Sequence, residues 1–229
     1  MHQSIDKKRK YIFLIIIFFF LSTINNINFV NNSSSSIVIE NIEVKGLSKE
    51  LNFKIKEKLK YLKNSNIFQV NKSKVENEIK KLNFIENFSV KKLYPKNIIL
   101  NLNQTEFLAI TIKENKKYII GSNGKLISHE LFSNYKNLPM IFGDFEINDF
   151  LDFKNKIDKS RFKFNEIENF FFFPSKRWDI QTRNNTIIRL PNNNIELALK
   201  RAKKIIESNK FNNKTIDLRV TKQIIFSNE

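Results

Sequence analysis

Proton transfer and metal capture need histidines, thiolates or convergent carboxylates, and this chain offers few places where such groups could meet. It has two histidines and no cysteine. His2 lies in a short basic segment at the start, which leaves His129 alone beside a loop, where a histidine reads as a surface residue rather than a base or ligand. Asp144, Glu146 and Asp149 cluster after Gly143 in Phe-Gly-Asp-Phe-Glu-Ile-Asn-Asp, a pattern of a solvated loop and helix start, with a cation site as the alternative. Gly121-Ser-Asn-Gly124 is too short and wrongly set to cradle phosphate. No catalytic, cofactor-binding or metal-binding residue is therefore expected, and a membrane-tethered hydrolase lacks its catalytic set.

Binding is what remains. The 229 residues carry a formal charge of +17, which suits nucleic acid, anionic lipid or an acidic partner. Lys7, Lys8, Arg9 and Lys10 against Asp6 supply +3 of it, and the other +14 is spread with acids interleaved and no dense basic stripe. That distribution reads as a Lys- and Asn-rich solvated surface, so no nucleic-acid partner is expected. Nor is a small-molecule substrate. A hydrophobic share of 41% with 23 Phe is ample for packed cores, whereas 4 Gly leave little room for nucleotide loops.

The elements that must position any binding surface fall in a clear order. After the tail at 1–10, Tyr11 to Val30 is expected to be one transmembrane helix, with Asn25, Asn26 and Asn28 at the far interface. Small residues suited to signal cleavage are missing around Asn28-Phe-Val-Asn31, so the anchor is read as retained, with the basic tail cytoplasmic and the rest exported. Asn31 to Ser36 form a polar linker.

From Ile37 to Glu106 the periodicities predict a β-α-α-β-β domain. Ile42 and Val44 mark a strand, and Leu51, Ile55, Leu59 and Leu62 a helix with Ser48 as N-cap. Val75, Ile79 and Leu82 mark a second helix; Phe88 with Val90, and Ile98 with Leu100 and Leu102, mark two strands around a Tyr94-Pro-Lys-Asn97 turn. Residues 107–229 predict a mostly antiparallel β domain. Leu108 to Ile112, Tyr118 to Ile120, a hairpin turn at Asn123-Gly124, Phe170 to Phe173, Trp178 to Ile180 and Thr186 to Leu190 come first. A helix over Ile195, Leu199, Ala202 and Ile206 follows, and an alternating run from Ile216 to Phe226 closes the chain as a strand. Trp178 and the Phe run read as core. A closing strand at a sheet edge offers unpaired N–H and C=O groups to another chain. The plainer reading is that Phe226 and its inward-facing neighbours complete the core.

Taken in order, these segments resemble the bacterial FtsQ/DivIB cell-division family over essentially the whole chain. Ile42-Glu-Val-Lys-Gly46, Asn66-Ile-Phe68, Phe84-Ile-Glu-Asn-Phe-Ser-Val90 and Ile98-Ile-Leu-Asn-Leu102 follow the pattern of that family's POTRA domain. Leu138-Pro139 with Gly143, Arg177-Trp-Asp-Ile180, Leu190-Pro191 and Ile216-Asp-Leu-Arg219 stand in the order of its C-terminal domain. The chain departs from the family at Phe107, Gly121 and Val220, where relatives carry Pro, Asp and, in some members, an aromatic residue. The resemblance implies an α+β fold, no enzymatic activity and no cofactor. It implies a scaffold linking early and late divisome proteins at the septum, in the inner membrane with a single span and its C-terminal domains in the periplasm. Its implied partners are FtsB and FtsL through the last strand, and other divisome proteins through the POTRA domain. Carried over by position, the FtsB contact falls on Arg219, Val220, Lys222, Gln223, Ile224, Ile225 and Phe226. The competing expectation is an outer-membrane assembly or translocation module, which would require tandem POTRA units and a following barrel.

Overall fold

An unbroken run of Ile, Leu and Phe contains nothing that stops a helix, and in the computed structural model of the chain it lies within α1, Lys7–Thr23. The structure describes residues 7–23, 37–132, 137–160, 162–208, 214–220 and 223–227. Basic residues fill the first turn of α1, and its 17 residues rise about 25 Å, less than the about 30 Å of a hydrocarbon layer. No helix among the described residues is long and apolar enough to cross a membrane. The helix thus falls short of the span expected over 11–30; residues 24–30 and the expected linker at 31–36 lie outside the described residues.

The chain divides into two compact units, residues 1–72 with 90–100, and residues 73–89 with 101–229. This division cuts across the segment read from sequence as one domain over 37–106. In the first unit, β1 (Asn41–Lys45) buries Ile42 and leads into α2 (Lys49–Lys58). Ser48 caps α2 by accepting the Leu51 N–H at 3.3 Å, and Glu50 in the first turn complements the helix dipole. Ile55, Leu59, Leu62, Ile39 and Ile67 form its buried side with Val90, Ile98 and Leu100.

The second unit begins with α3 (Lys72–Lys80), whose Val75 and Ile79 are buried one turn apart. β2 (Ile85–Leu93) and β3 (Asn97–Gln104), whose residues 90–93 and 97–100 belong to the first unit, complete with β1 a three-stranded sheet in the order β1-β3-β2. Ile98, Leu100 and Leu102 are all buried, as their alternation predicts. A nine-stranded sheet follows, built from β4 (Phe107–Lys113), β5 (Lys116–Gly121), β6 (Leu126–Ser128), β7 (Met140–Phe142), β8 (Ile167–Phe172), β9 (Trp178–Thr182), β10 (Ile187–Arg189), β11 (Thr215–Asp217) and β12 (Ile225–Ser227). Its order is β12-β11-β10-β9-β8-β7-β4-β5-β6. Glu114 and Asn115, both at positive φ, turn β4 into β5, the geometry a two-residue hairpin needs.

This sheet is mixed, which qualifies the mostly antiparallel expectation. β4–β7, β7–β8 and β10–β11 are parallel, and the other pairs are antiparallel. Parallel neighbours need crossovers. Two of these run through helices, α4 (Ile147–Lys159) between β7 and β8 and α5 (Ile195–Glu207) between β10 and β11. Sequence reading supplied α5 and only the start of α4. The two helices bury Phe150, Phe153, Ile157, Ile195, Leu199 and Ala202 into one cluster with Ile120, Ile141, Phe170, Trp178, Ile188 and Ile216 from the strands.

The closing run also differs from expectation. Ile216 to Phe226 is two short strands, β11 and β12, folded antiparallel with Thr215, Ile216 and Asp217 opposite Ser227, Phe226 and Ile225. Thr215 and Asp217 are buried alongside Ile216, because this stretch is covered on both faces and alternation no longer sorts inside from outside.

Candidate protein-binding edge

β12 is the last strand of the nine-stranded sheet, and its neighbour β11 is held by the α5 crossover and a parallel register of Ile188 with Ile216 and Arg189 with Asp217. The N–H of Leu218 extends this ladder by donating to the Arg189 carbonyl at 2.9 Å. Beyond it the backbone leaves the core. Val220 is 49% exposed, Ile224 42%, Ile225 50% and Phe226 40%, so four large apolar side chains stand partly in solvent at one sheet edge.

A charge pair stands at the end of β11. The carboxylate of Asp217 accepts the backbone N–H of Arg219 at 3.0 Å and its Nε–H at 2.9 Å from each oxygen. These hydrogen bonds from Arg219 hold the Asp217 carboxyl below the ordinary carboxylate range, against the opposing effect of burial. A second acid, Asp179 on β9, is pushed the other way. Burial raises its pKa, although it accepts Nε–H and an Nη–H of Arg177 at 3.1 and 3.3 Å and the Leu190 N–H at 3.3 Å. The Arg177 guanidinium lies 4.2 Å from the ring centroid of Phe173.

The opposite shifts give opposite pH dependence. Folded Asp217 binds fewer protons than the unfolded chain near the usual carboxylate pKa of about 3.9, so its stabilisation is present above that pH and lost as pH falls through the folded pKa. Asp179 favours the fold below the unfolded pKa, an advantage lost as pH rises through its folded pKa. Asp217→Asn is expected to cost about 1 kcal/mol at neutral pH, the Arg219 side chain being partly exposed, and to flatten the acid limb of stability. Urea midpoints measured from pH 3 to 7 check this, and superimposable acid limbs for the two chains would contradict it.

The seven positions singled out from sequence are divided by the structure. Ile225 and Phe226 are in β12, and Ile224 precedes it. Arg219, Val220 and Gln223 belong to the connection, where the Gln223 N–H donates to the Val220 carbonyl at 3.2 Å. Lys222 lies outside the described residues. Phe226 is not closed into the core, contrary to the plainer reading. His129 begins a 3-10 turn that ends at Phe132, and Asp144, Glu146 and Asp149 lie at the entry to α4. No group of three His, Cys, Asp or Glu able to hold a metal occurs among the described residues. What the arrangement offers is a strand edge with apolar side chains.

A β-α-α-β-β segment precedes a mixed sheet that closes on an exposed strand. The family model for the FtsQ-type POTRA domain matches residues 38–103, and that for the C-terminal domain of the cell division protein FtsQ/DivIB matches 109–219. The chain is 26% identical over 184 residues to the cell division protein FtsQ of Rickettsia bellii, covering 79% of this chain and 68% of the relative. It is 25% identical to that of Rickettsia prowazekii over the same length and shares. Among solved structures, the major extracytoplasmic domain of the cell division protein DivIB from Geobacillus stearothermophilus aligns with 46% of this chain and 94% of its own at 9% identity. Its TM-score of 0.35 is too low to bear on the fold. The chain belongs to the FtsQ/DivIB family of cell-division proteins.

Proposed function

We propose that this chain is a non-catalytic scaffold that links early and late divisome proteins at the septum, capturing the FtsB/FtsL complex at its C-terminal sheet edge. The observation that carries the reading is the exposed apolar group Val220, Ile224, Ile225 and Phe226 at the β12 edge. Backbone pairing along a strand supplies affinity with little demand on side-chain identity, and alternate side chains add burial. Arg219, Val220, Lys222, Gln223, Ile224, Ile225 and Phe226 are the proposed contact residues. Residues 37–106 are proposed to serve as the POTRA domain for other divisome proteins, and 107–229 as the FtsB-binding domain.

The same reading makes residues 11–30 the single span in the inner membrane, with 1–10 cytoplasmic and the later domains periplasmic. The support is that Tyr11 to Leu21 are exposed all round α1, from 38 to 72%, as suits a lipid environment and not an aqueous one.

Ile224 and Phe226 are 42% and 40% exposed and neither belongs to the buried core cluster, so the fold is expected to persist in Ile224→Glu with Phe226→Glu. Each removes about 1 kcal/mol of apolar burial at the interface, and the pair is expected to weaken capture of the FtsB/FtsL complex about thirtyfold. Capture at unchanged affinity by the folded variant would overturn the edge assignment. Mid-cell accumulation of a fluorescent fusion in dividing cells tests the cellular role.

A further inference from the structure

The first unit carries exposed apolar surface that neither its core nor the strand edge accounts for. Phe68 and Tyr94 are 60% and 55% exposed, and their rings stack on each other with centroids 5.1 Å apart. Leu93 is 51% exposed, and it shares a face of β2 with the exposed Lys91 two residues earlier. This patch lies where the chain enters the unit. The Ile67 N–H donates to the Ile37 carbonyl at 3.1 Å, the Ile39 N–H to the Ser65 carbonyl at 3.0 Å, and the Glu40 N–H to the Lys96 carbonyl at 2.9 Å. Ile37 itself is 37% exposed. Stacked aromatics therefore stand beside the first described residues after α1.

Two further facts select the occupant. Between Thr23 and Ile37 stand residues 24–36, and the 14 steps from one to the other reach at most about 50 Å even fully extended. Wherever α1 is held, this end of the unit stays within that distance. The net charge is also positive: residues 37–72 and 90–100 hold eleven lysines and four glutamates, a net +7. Aromatic rings interleaved with lysines are the composition that settles at the headgroup level of a bilayer, the rings in the interface and the ammonium groups on anionic lipid.

We propose that the Phe68–Tyr94 end of the first unit docks on the anionic lipid surface of the membrane that holds α1. The proposal rests on the anchor reading given above. Docking adds a second, reversible attachment to the tether, and it fixes which end of the unit faces lipid. The high effective concentration imposed by a short connection allows a weak surface contact to be occupied.

The chain has no cysteine, so single cysteines can carry a probe without competition. The full chain would be labelled with an environment-sensitive fluorophore at Ile16→Cys on α1 or at Gln69→Cys beside the patch. It would then be reconstituted in nanodiscs of phosphatidylcholine with or without phosphatidylglycerol, containing a quencher-bearing lipid. The expected result is quenching at position 16 in both lipids and at position 69 only with phosphatidylglycerol. Lys63→Glu with Lys91→Glu, both at exposed positions, is expected to lower the docking equilibrium constant by at least about tenfold. Phe68→Ser with Tyr94→Ser is expected to abolish quenching at 69 while leaving that at 16. Quenching at 16 without any at 69 overturns the proposal and leaves the anchor intact. Quenching at neither position overturns both. A probe at 69 that is shielded only when a protein partner is added overturns it in favour of a protein-binding patch.

Discussion

Replacing Trp178 with alanine is expected to destabilise the second unit by about 3–5 kcal/mol, enough to unfold a marginally stable domain. The indole is 4% exposed and is enclosed by aromatic rings. It stacks on Phe153 with centroids 4.9 Å apart and planes 5° from parallel, and it meets Phe172 at 4.7 Å, Phe145 at 5.8 Å and Phe150 at 6.2 Å. Because Phe145, Phe150 and Phe153 come from α4 and its entry and Phe172 from β8, removal opens a void where helix meets sheet, and rings of that size cannot collapse into it without leaving their rotamers. Trp178→Phe keeps part of the stack and is expected to cost less than half as much. The substitution removes the chain's only tryptophan. Urea unfolding followed by far-ultraviolet circular dichroism is therefore the appropriate measurement, and a loss under about 1 kcal/mol would show that the ring cluster is not the centre of this core.

Gly143→Ala is the second large effect expected, about 2–4 kcal/mol, and it acts through backbone rather than through lost burial. Gly143 follows β7 at φ +109, a region L-residues avoid, and a Cβ there would sit 2.2 Å from the carbonyl oxygen of Phe172 and 3.2 Å from its Cβ. Both objects are fixed by the β7–β8 register, in which Phe142 opposes Phe171, so the strands must separate to admit a methyl group. Gly124→Ala is the matched control. Gly124 also has positive φ, at +72, but its nearest neighbour would be a Leu151 methyl group at 3.4 Å, so only the backbone penalty of about 1–2 kcal/mol applies. Equal losses for the two variants in chemical denaturation would refute the steric argument.

Legibility in the sequence followed periodicity. Ile98, Leu100 and Leu102 alternate cleanly and are buried, and Ser48 caps α2 where its residue type indicated. α4 was missed beyond its first turn because Asp144, Glu146 and Asp149 draw attention as a solvated acidic loop. The missed signal was Phe150, Phe153 and Ile157, spaced three and four residues apart and all buried. The closing segment was legible as strand and illegible as two strands. No glycine or proline marks the reversal after Arg219, and the Asp217–Arg219 pair that precedes it, a carboxylate two residues before an arginine, has no periodic signature. The exposure of Phe226 could not be read at all, since alternation continues across the fold-back.

An open sheet has two ends at which it can be extended, and here they are unequal. At the β6 end, the Asn83 side-chain amide donates to the Leu126 carbonyl at 2.8 Å, occupying an acceptor that an incoming strand would need. The strand itself is three residues long and runs directly into the 3-10 turn whose Phe132 packs edge-on against Phe84 and Phe107. In the vocabulary of polymer chemistry this makes the unit a monofunctional monomer. If strands add at β12, each copy takes up one guest and stops, so concentrating many copies at one place yields discrete pairs instead of a growing cross-β fibre.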